Sequence, residues 1–311
     1  MTAVAGHGGT YLKLVLVACI WGGTFIAGKV AMGEMSAPVA ALWRYVIATA
    51  TLLVVLFAVE RSMPRLAAAQ WISVVLLGVT GVAAYNLCFM FGIQKVTAAR
   101  GALIIALAPA ATLLGGALFL HEPLNRFRVA GIIVALLGVA VELSGGNPLL
   151  LFSGHLGIGE AAIFGCVLAW AAYTLIGKRL LGEGLSPLAT TTYAALVGTG
   201  MLLAVSAAAG DLSLPHVSPK TWLSLAFMGV LGTAVAFVWF YDGVRTIGPA
   251  RTAVFINLVP MVAITLGVLL LGEALHWSMV VGGALVVAGV FVINRAPAAA
   301  LPAPHAPAHV V

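Results

Sequence analysis

One stretch of this sequence is written twice, and that fact constrains the fold more than any other. Residues 98–141 read AARGALIIALAPAATLLGGALFLHEPLNRFRVAGIIVALLGVAV, and from Ala250 the chain reads ARTAVFINLVPMVAITLGVLLLGEALHWSMVVGGALVVAGV. At a constant separation of 151 residues, Arg100 meets Arg251, Pro109 meets Pro260 and Glu122 meets Glu273, while Gly131 and Gly138 meet Gly282 and Gly289. Apolar residues match easily by chance here, so the rarer Arg, Pro and Glu carry the weight. Upstream, Trp71, Gly78, Gly81, Phe89 and Gly92 still pair at 151 with Trp222, Gly229, Gly232, Phe240 and Gly243. Further back the separation is 149: Trp21, Gly28, Lys29 and Pro38 meet Trp170, Gly177, Lys178 and Pro187. The chain is two copies of one unit of about 150 residues.

The solvent for such a unit is lipid. The sequence is 62% hydrophobic and 8% charged, with mean hydropathy +1.14, against roughly 25% charged residues in soluble proteins. A net charge of +6 comes from Lys and Arg scattered singly. With no basic stripe and no nucleic-acid motif, the charge reads as topogenic and no nucleic-acid partner is expected. Cys19, Cys88 and Cys166 lie in apolar runs, and an odd count without metal spacing points to small core residues rather than a disulfide or zinc site. The first apolar run lacks a positive leader and a small-residue cleavage site, so it reads as a retained span.

A helix needs about 20 apolar residues to cross the hydrocarbon core. Ten segments qualify: 11–32, 38–59, 70–93, 98–120, 127–144, 157–181, 187–209, 221–244, 250–271 and 276–294. A linker near 145–156 separates five from five, giving repeat units at 11–144 and 157–294, and the Pro/Ala-rich tail 296–311 reads as disordered. Five is odd, so the second unit enters the membrane opposite to the first. With a cytoplasmic N-terminus, ten Lys and Arg fall on the cytoplasmic side and five (Lys29, Arg44, Lys95, Arg100, Lys220) on the other, which favours N-in and C-in. The expected fold class is an all-α membrane protein of ten transmembrane helices in two inverted five-helix repeats. Inverted repeats place a pseudo-two-fold axis in the membrane plane, and a site on that axis can open to either side by related motions.

The early Trp21-Gly22-Gly23-Thr24-Phe25, the Pro109 helix ending in Glu122-Pro123, and the copy from Pro260 to Glu273 resemble the EamA family of the drug/metabolite transporter superfamily. The resemblance spans about 11–294 and is nearest to exporters of the YddG type. It implies ten helices and efflux of amino acids and related metabolites, aromatic ones in several members. The matching positions are mainly architectural and carry over no binding residue.

The side chains themselves offer candidates. Trp21 and its mate Trp170 lie too deep for an interfacial belt, so packing and substrate contact stand as alternatives. Trp43, Trp71, Trp222 and Trp277 fit the belt. Tyr85 and Asn86 in the third span and Asn257 in the ninth put polar groups in hydrocarbon, where each needs a partner. They bond neighbouring helices or line a cavity. Thr24, Phe89, Tyr173, Phe237, Trp239 and Tyr241 extend the polar and aromatic set. Pro109 and Pro260, at matching mid-span positions, each free a carbonyl one turn back and read as static kinks or as hinges beside a site. Glu122, Glu273, Arg100 and Arg251 sit at helix ends, where caps and charge pairs are the first reading. Gly131, Gly138, Gly282 and Gly289 suggest close packing of spans five and ten, within one chain or across a dimer.

Mid-span positions show no Asp, Glu or Lys, and no set of basic residues suited to phosphate substrates. Enzyme motifs are missing: His121-Glu122-Pro123 lacks the second His of a zinc-protease helix, and there is no Gly-x-Ser-x-Gly elbow or Walker loop. The expectation is a secondary transporter in a bacterial inner membrane, without cofactor or metal, exporting small amphiphilic metabolites such as amino acids. It is a monomer or a homodimer. Lipophilic cations, nucleotide sugars and phosphosugars remain the alternative substrates, and a non-transport membrane protein the outside alternative.

Overall fold

The computed structural model describes residues 8–121, 124–147, 157–182, 184–210, 216–247, 252 and 255–295. All regular structure among them is helical. The linker segment 148–156, the tail 296–311, Glu122 and Arg251 lie outside the described residues.

In chain order the helices are α1 (Gly8–Met32), α2 (Ala37–Glu60), α3 (Ala68–Leu77), α4 (Tyr85–Lys95), α5 (Ala98–Ile105), α6 (Ala108–Leu120) and α7 (Arg126–Leu143) in the first half. The second half holds α8 (Ile158–Gly182), α9 (Pro187–Ala208), α10 (Pro219–Ala226), α11 (Ala236–Ile247), α12 (Leu258–Leu271) and α13 (Trp277–Arg295). Two π-helical segments, π1 (Gly78–Ala84) and π2 (Phe227–Val235), join α3 to α4 and α10 to α11 without interrupting the rod. They fall at matching places in the repeat, around Gly78 and Gly229 and around Gly81 and Gly232. The sequence begins its helices alike in both halves. Ser36 precedes α2 and Ser186 precedes α9, each with a proline in the first turn, where proline's missing N–H costs nothing.

Seven rods among the described residues are long and apolar enough to cross a bilayer: Gly8–Met32, Ala37–Glu60, Ala68–Lys95, Ala98–Leu120, Ile158–Lys178, Pro187–Ala208 and Pro219–Val244. Leu258–Leu271 and Trp277–Ile293 are shorter apolar helices, and α7 carries Arg126, Arg128 and Glu142 near its ends. Leu118, Phe119, Leu223 and Leu269 are 71–77% exposed. Large apolar side chains in that state suit a lipid-facing surface and not an aqueous one.

Polar contacts tie the halves together at both ends of the bundle. Near the end of α1, the Glu34 carboxylate accepts from the Ser218 backbone N–H and hydroxyl, both at 2.6 Å. Glu273 accepts from the backbone N–H groups of Ala98 (2.6 Å) and Ala99 (3.2 Å). That is a cap, but on the first turn of α5 in the other half rather than on its own helix. At the opposite end Lys13 Nζ meets Asp242 at 2.7 Å, and the Ser186 hydroxyl donates to Glu60 at 2.6 Å.

The repeat-related glycines settle one alternative. A Cβ on Gly131 would stand 2.7 Å from the Gly289 carbonyl oxygen, and one on Gly138 would stand 2.6 Å from that of Gly282. The glycines of α7 and α13 therefore face each other within a single chain, at a separation no larger residue permits.

Candidate functional site: a cavity between the halves

A cavity of about 170 Å³ lies in the middle of the bundle, more than ten times the ~10–15 Å³ that one water needs by the same measure. Of its 28 lining residues, eighteen form nine repeat-related pairs. Trp21 pairs with Trp170, Thr24 with Tyr173, Gly81 with Gly232, Ala106 with Asn257 and Pro109 with Pro260. The cavity thus sits where the two copies of the unit meet.

The π segments bring the aromatic side chains into place. Wide π turns leave carbonyls out of the ordinary ladder, and Trp21 Nε1 donates to the Gly232 oxygen at 3.0 Å. In the other half the Tyr173 ring lies against Gly81, where a Cβ would come within 2.1 Å of it. From these anchors the rings run in a circuit that begins and ends on α1. Trp21 touches Phe237 (centroids 5.8 Å), Phe237 touches Trp170 (6.3 Å) and Trp170 touches Tyr85 (5.7 Å). Tyr85 stacks on Phe89 (6.2 Å, 6°), and Phe89 meets Phe25 on α1 again (5.4 Å). All fall within the separations of attractive ring pairs. Trp170 also tilts on Tyr173 at 5.7 Å.

Of the residues proposed from sequence, Trp21, Thr24, Tyr85, Trp170, Tyr173, Phe237, Asn257, Pro109 and Pro260 line the cavity together. Asn86, Phe89 and Trp239 do not. Asn86 is fully buried and its amide donates to the Val82 carbonyl of its own helix at 2.8 Å. Phe89 is core, behind Tyr85 and against Phe25. Trp239 is half-buried on α11 and is not among the residues of the cavity wall, and the Tyr241 side chain lies outside the described set. Thr24 spends its hydroxyl on the Trp21 carbonyl at 2.6 Å. Each proline follows a one-turn break, at Ala106–Leu107 and at Asn257, and leaves the carbonyl of Ile105 or Ile256 without its usual donor. Both isoleucines line the cavity.

Sequence reading placed no basic group in the middle of a span, and here the structure corrects it. Arg44 lines the cavity and is 8% exposed. It is the eighth residue of α2, roughly 10 Å along the helix from its end. Counted as a loop-side topogenic charge, it lies instead inside the bundle. Its guanidinium carbon stands 5.7 Å from both the Tyr45 and the Phe89 ring centres. Among the described residues it makes no ion pair or hydrogen bond, and its Nε is buried unpaired. The Asn257 carboxamide, also on the wall, makes no hydrogen bond there either, with its Nδ2 buried. Arg100 behaves differently: its Nε lies 3.1 Å from Glu160 and 3.9 Å from Glu142, and it donates to the Leu143 carbonyl at 3.2 Å. That is the charge-pair reading of a helix-end arginine. Among the described residues no group of His, Cys, Asp and Glu is arranged to hold a metal.

A helical bundle with a central aromatic cavity between two sequence repeats is the layout of a small-solute carrier, and comparison with known proteins agrees. The chain belongs to the EamA-like transporter family, which matches residues 9–143 and again 157–295, within the drug/metabolite transporter superfamily. It is a multi-pass integral membrane transporter. It is 29% identical over 285 residues to the uncharacterized transporter YyaM of Bacillus subtilis (strain 168), covering 91% of this chain and 93% of that one. It is 30% identical over 285 residues to a protein of Streptantibioticus cattleyicolor named "Probable terminal-alkyne amino-acid exporter", covering 91% and 92%. A crystal structure with 19% identity shares the fold at a TM-score of 0.66, over 93% of this chain and 99% of the other.

Proposed function

We infer that this protein exports small amphiphilic metabolites, amino acids above all, across a bacterial inner membrane by alternating access. The observation that carries the reading is the cavity itself, built at repeat-equivalent positions of both halves. A site on such an axis is reached from either side by related motions of the same two bodies. The aromatic circuit suits the apolar part of a solute, and Asn257, Tyr85 and the carbonyls freed by Pro109 and Pro260 suit its polar part. The amino-acid export named for the Streptantibioticus relative points the same way. We take the units as 11–144 and 157–294, with ten spans running in inverted repeats, α7, α12 and α13 completing the count, and both termini cytoplasmic on the ten-to-five charge bias.

The test is counterflow in liposomes containing only this protein, with labelled amino acids, with and without a pH gradient. Exchange without a gradient is expected. Silence across the amino-acid panel, with uptake of cations or sugars instead, sinks the substrate assignment.

A further inference from the structure

The cavity holds a positive charge that no carboxylate and no hydrogen-bond acceptor among the described residues answers. Arg44 cannot neutralise itself, since a guanidinium stays protonated in proteins. Its five N–H donors demand acceptors, and two ring faces at 5.7 Å satisfy the charge without supplying any. All six described carboxylates are held elsewhere: Asp242 by Lys13, Glu34 by Ser218, Glu60 by Ser186, Glu142 and Glu160 by Arg100, and Glu273 by the first turn of α5. An arginine kept for packing sits among acids and carbonyls, as Arg100 does: its Nε, like that of Arg44, makes no hydrogen bond, yet the group donates to the Leu143 carbonyl and faces Glu160 and Glu142. A buried charge left open toward a cavity is the arrangement of a binding group. Elsewhere on the same wall, the unspent Asn257 amide adds a neutral donor.

We propose that Arg44 binds and selects the carboxylate of the transported solute. The proposal rests on the transport reading above and narrows it: the solute carries a carboxylate, and the same positive charge repels lipophilic cations. The planar fork of guanidinium N–H groups matches the two oxygens of a carboxylate, while the ring circuit beside it takes an apolar side chain. Tyr85, whose hydroxyl is unspent among the described residues, lines the same cavity and stacks on Phe89, the ring over which the guanidinium lies.

The experiment measures binding of one phenyl scaffold with its polar ends varied, by calorimetry on the purified full chain in detergent. The ligands are phenylalanine, 3-phenylpropionate, phenethylamine and phenylalanine methyl ester. In the wild type the two acids bind, and the amine and the ester bind about 30-fold more weakly or worse, the scale on which loss of one partner of a buried charge pair is felt. Arg44→Gln brings acid and ester to similar affinity, and Arg44→Lys restores part of the preference. Should Arg44→Gln fail to fold, the acid-to-ester ratio of the wild type decides alone. Equal binding of acid and ester, or a ratio that survives Arg44→Gln, overturns the carboxylate role while leaving a binding transporter. Failure of the whole series to bind overturns both the anchor and the amino-acid reading.

Discussion

α2 and α9 hold equivalent places in the two halves and pack on each other, joined by Thr49 and Thr199 at 2.8 Å, yet only one sends a charge into the cavity. At the separation of 149 residues that governs this part of the repeat, Arg44 corresponds to Tyr193. The tyrosine is used up on structure. Its hydroxyl donates to the Pro64 carbonyl at 2.6 Å and its ring sits edge-on to Trp71 at 5.9 Å. The same asymmetry recurs where Asn257 stands opposite Ala106. The frame of tryptophans, glycines and prolines is two-fold, but the donors are not. A site with full two-fold symmetry offers the two ends of a solute the same groups, whereas an amino acid has unlike ends. Duplication built the cavity, and divergence gave it a polarity.

Five substitutions test this division between shared frame and unequal chemistry. The largest contrast lies in the π segments. Gly81→Ala puts a Cβ 2.1 Å from the Tyr173 ring, whereas Gly232→Ala puts one 2.9 Å from the Thr24 methyl. Overpacking of this kind costs about 1–3 kcal/mol. We expect Gly81→Ala at the top of that range, with lost flux, and Gly232→Ala at the bottom, read by thermal melting in detergent; equal losses erase the distinction. Next come the paired tryptophans. Trp21→Phe leaves the Gly232 carbonyl without its donor, which adds about 1 kcal/mol to the ring contacts that both substitutions weaken, while Trp170→Phe forfeits no hydrogen bond among the described residues and so lowers the melting temperature less. Tyr193→Phe costs a similar ~1 kcal/mol by orphaning the Pro64 carbonyl but leaves solute selectivity intact, which separates it from any change at Arg44.

The smallest effect is a pH dependence at the surface. Hydrogen bonds from the Ser218 hydroxyl and then its backbone N–H hold the Glu34 carboxyl below its ordinary range. A carboxyl depressed in the folded protein stabilises it above the unfolded value, near pH ~4.3 for Glu, and loses that contribution as pH falls through the lower folded value. Glu34→Gln is therefore expected to melt slightly below the wild type at pH 7, with the gap closing toward pH 3. A gap that stays constant removes the carboxylate from the account.

Much of the frame was legible because rare residues repeat. Trp21 and Trp170, Pro109 and Pro260, and the four glycines of α7 and α13 announced themselves by their spacing, and the structure brings each set together. What the repeat could not reveal was whatever differs between the copies. Arg44 lies near enough to the start of α2 to pass for a loop charge, and only the Phe89 and Tyr45 rings beside it and its place on the cavity wall show that it faces inward. Asn86 failed for the opposite reason. A polar residue mid-span suggests a cavity, yet a helix offers its own carbonyl four residues back as a partner. The π turns leave no signal that glycine alone spells out, and the cap that Glu273 places on the opposite half depends on a contact across 175 residues.

The seam between α7 and α13 carries a consequence for how the molecule is made. α7 has three charged residues in 18, and its glycine face finds its match in the last described helix, at Gly282 and Gly289. About 150 residues of synthesis lie between the two, which at ~5–20 residues per second is a wait of roughly 8–30 s. Over that interval the glycine face of α7 is without the partner it has in the finished fold. The α7 face of the first repeat is covered by a helix of the second, so the two halves share this seam rather than each closing its own.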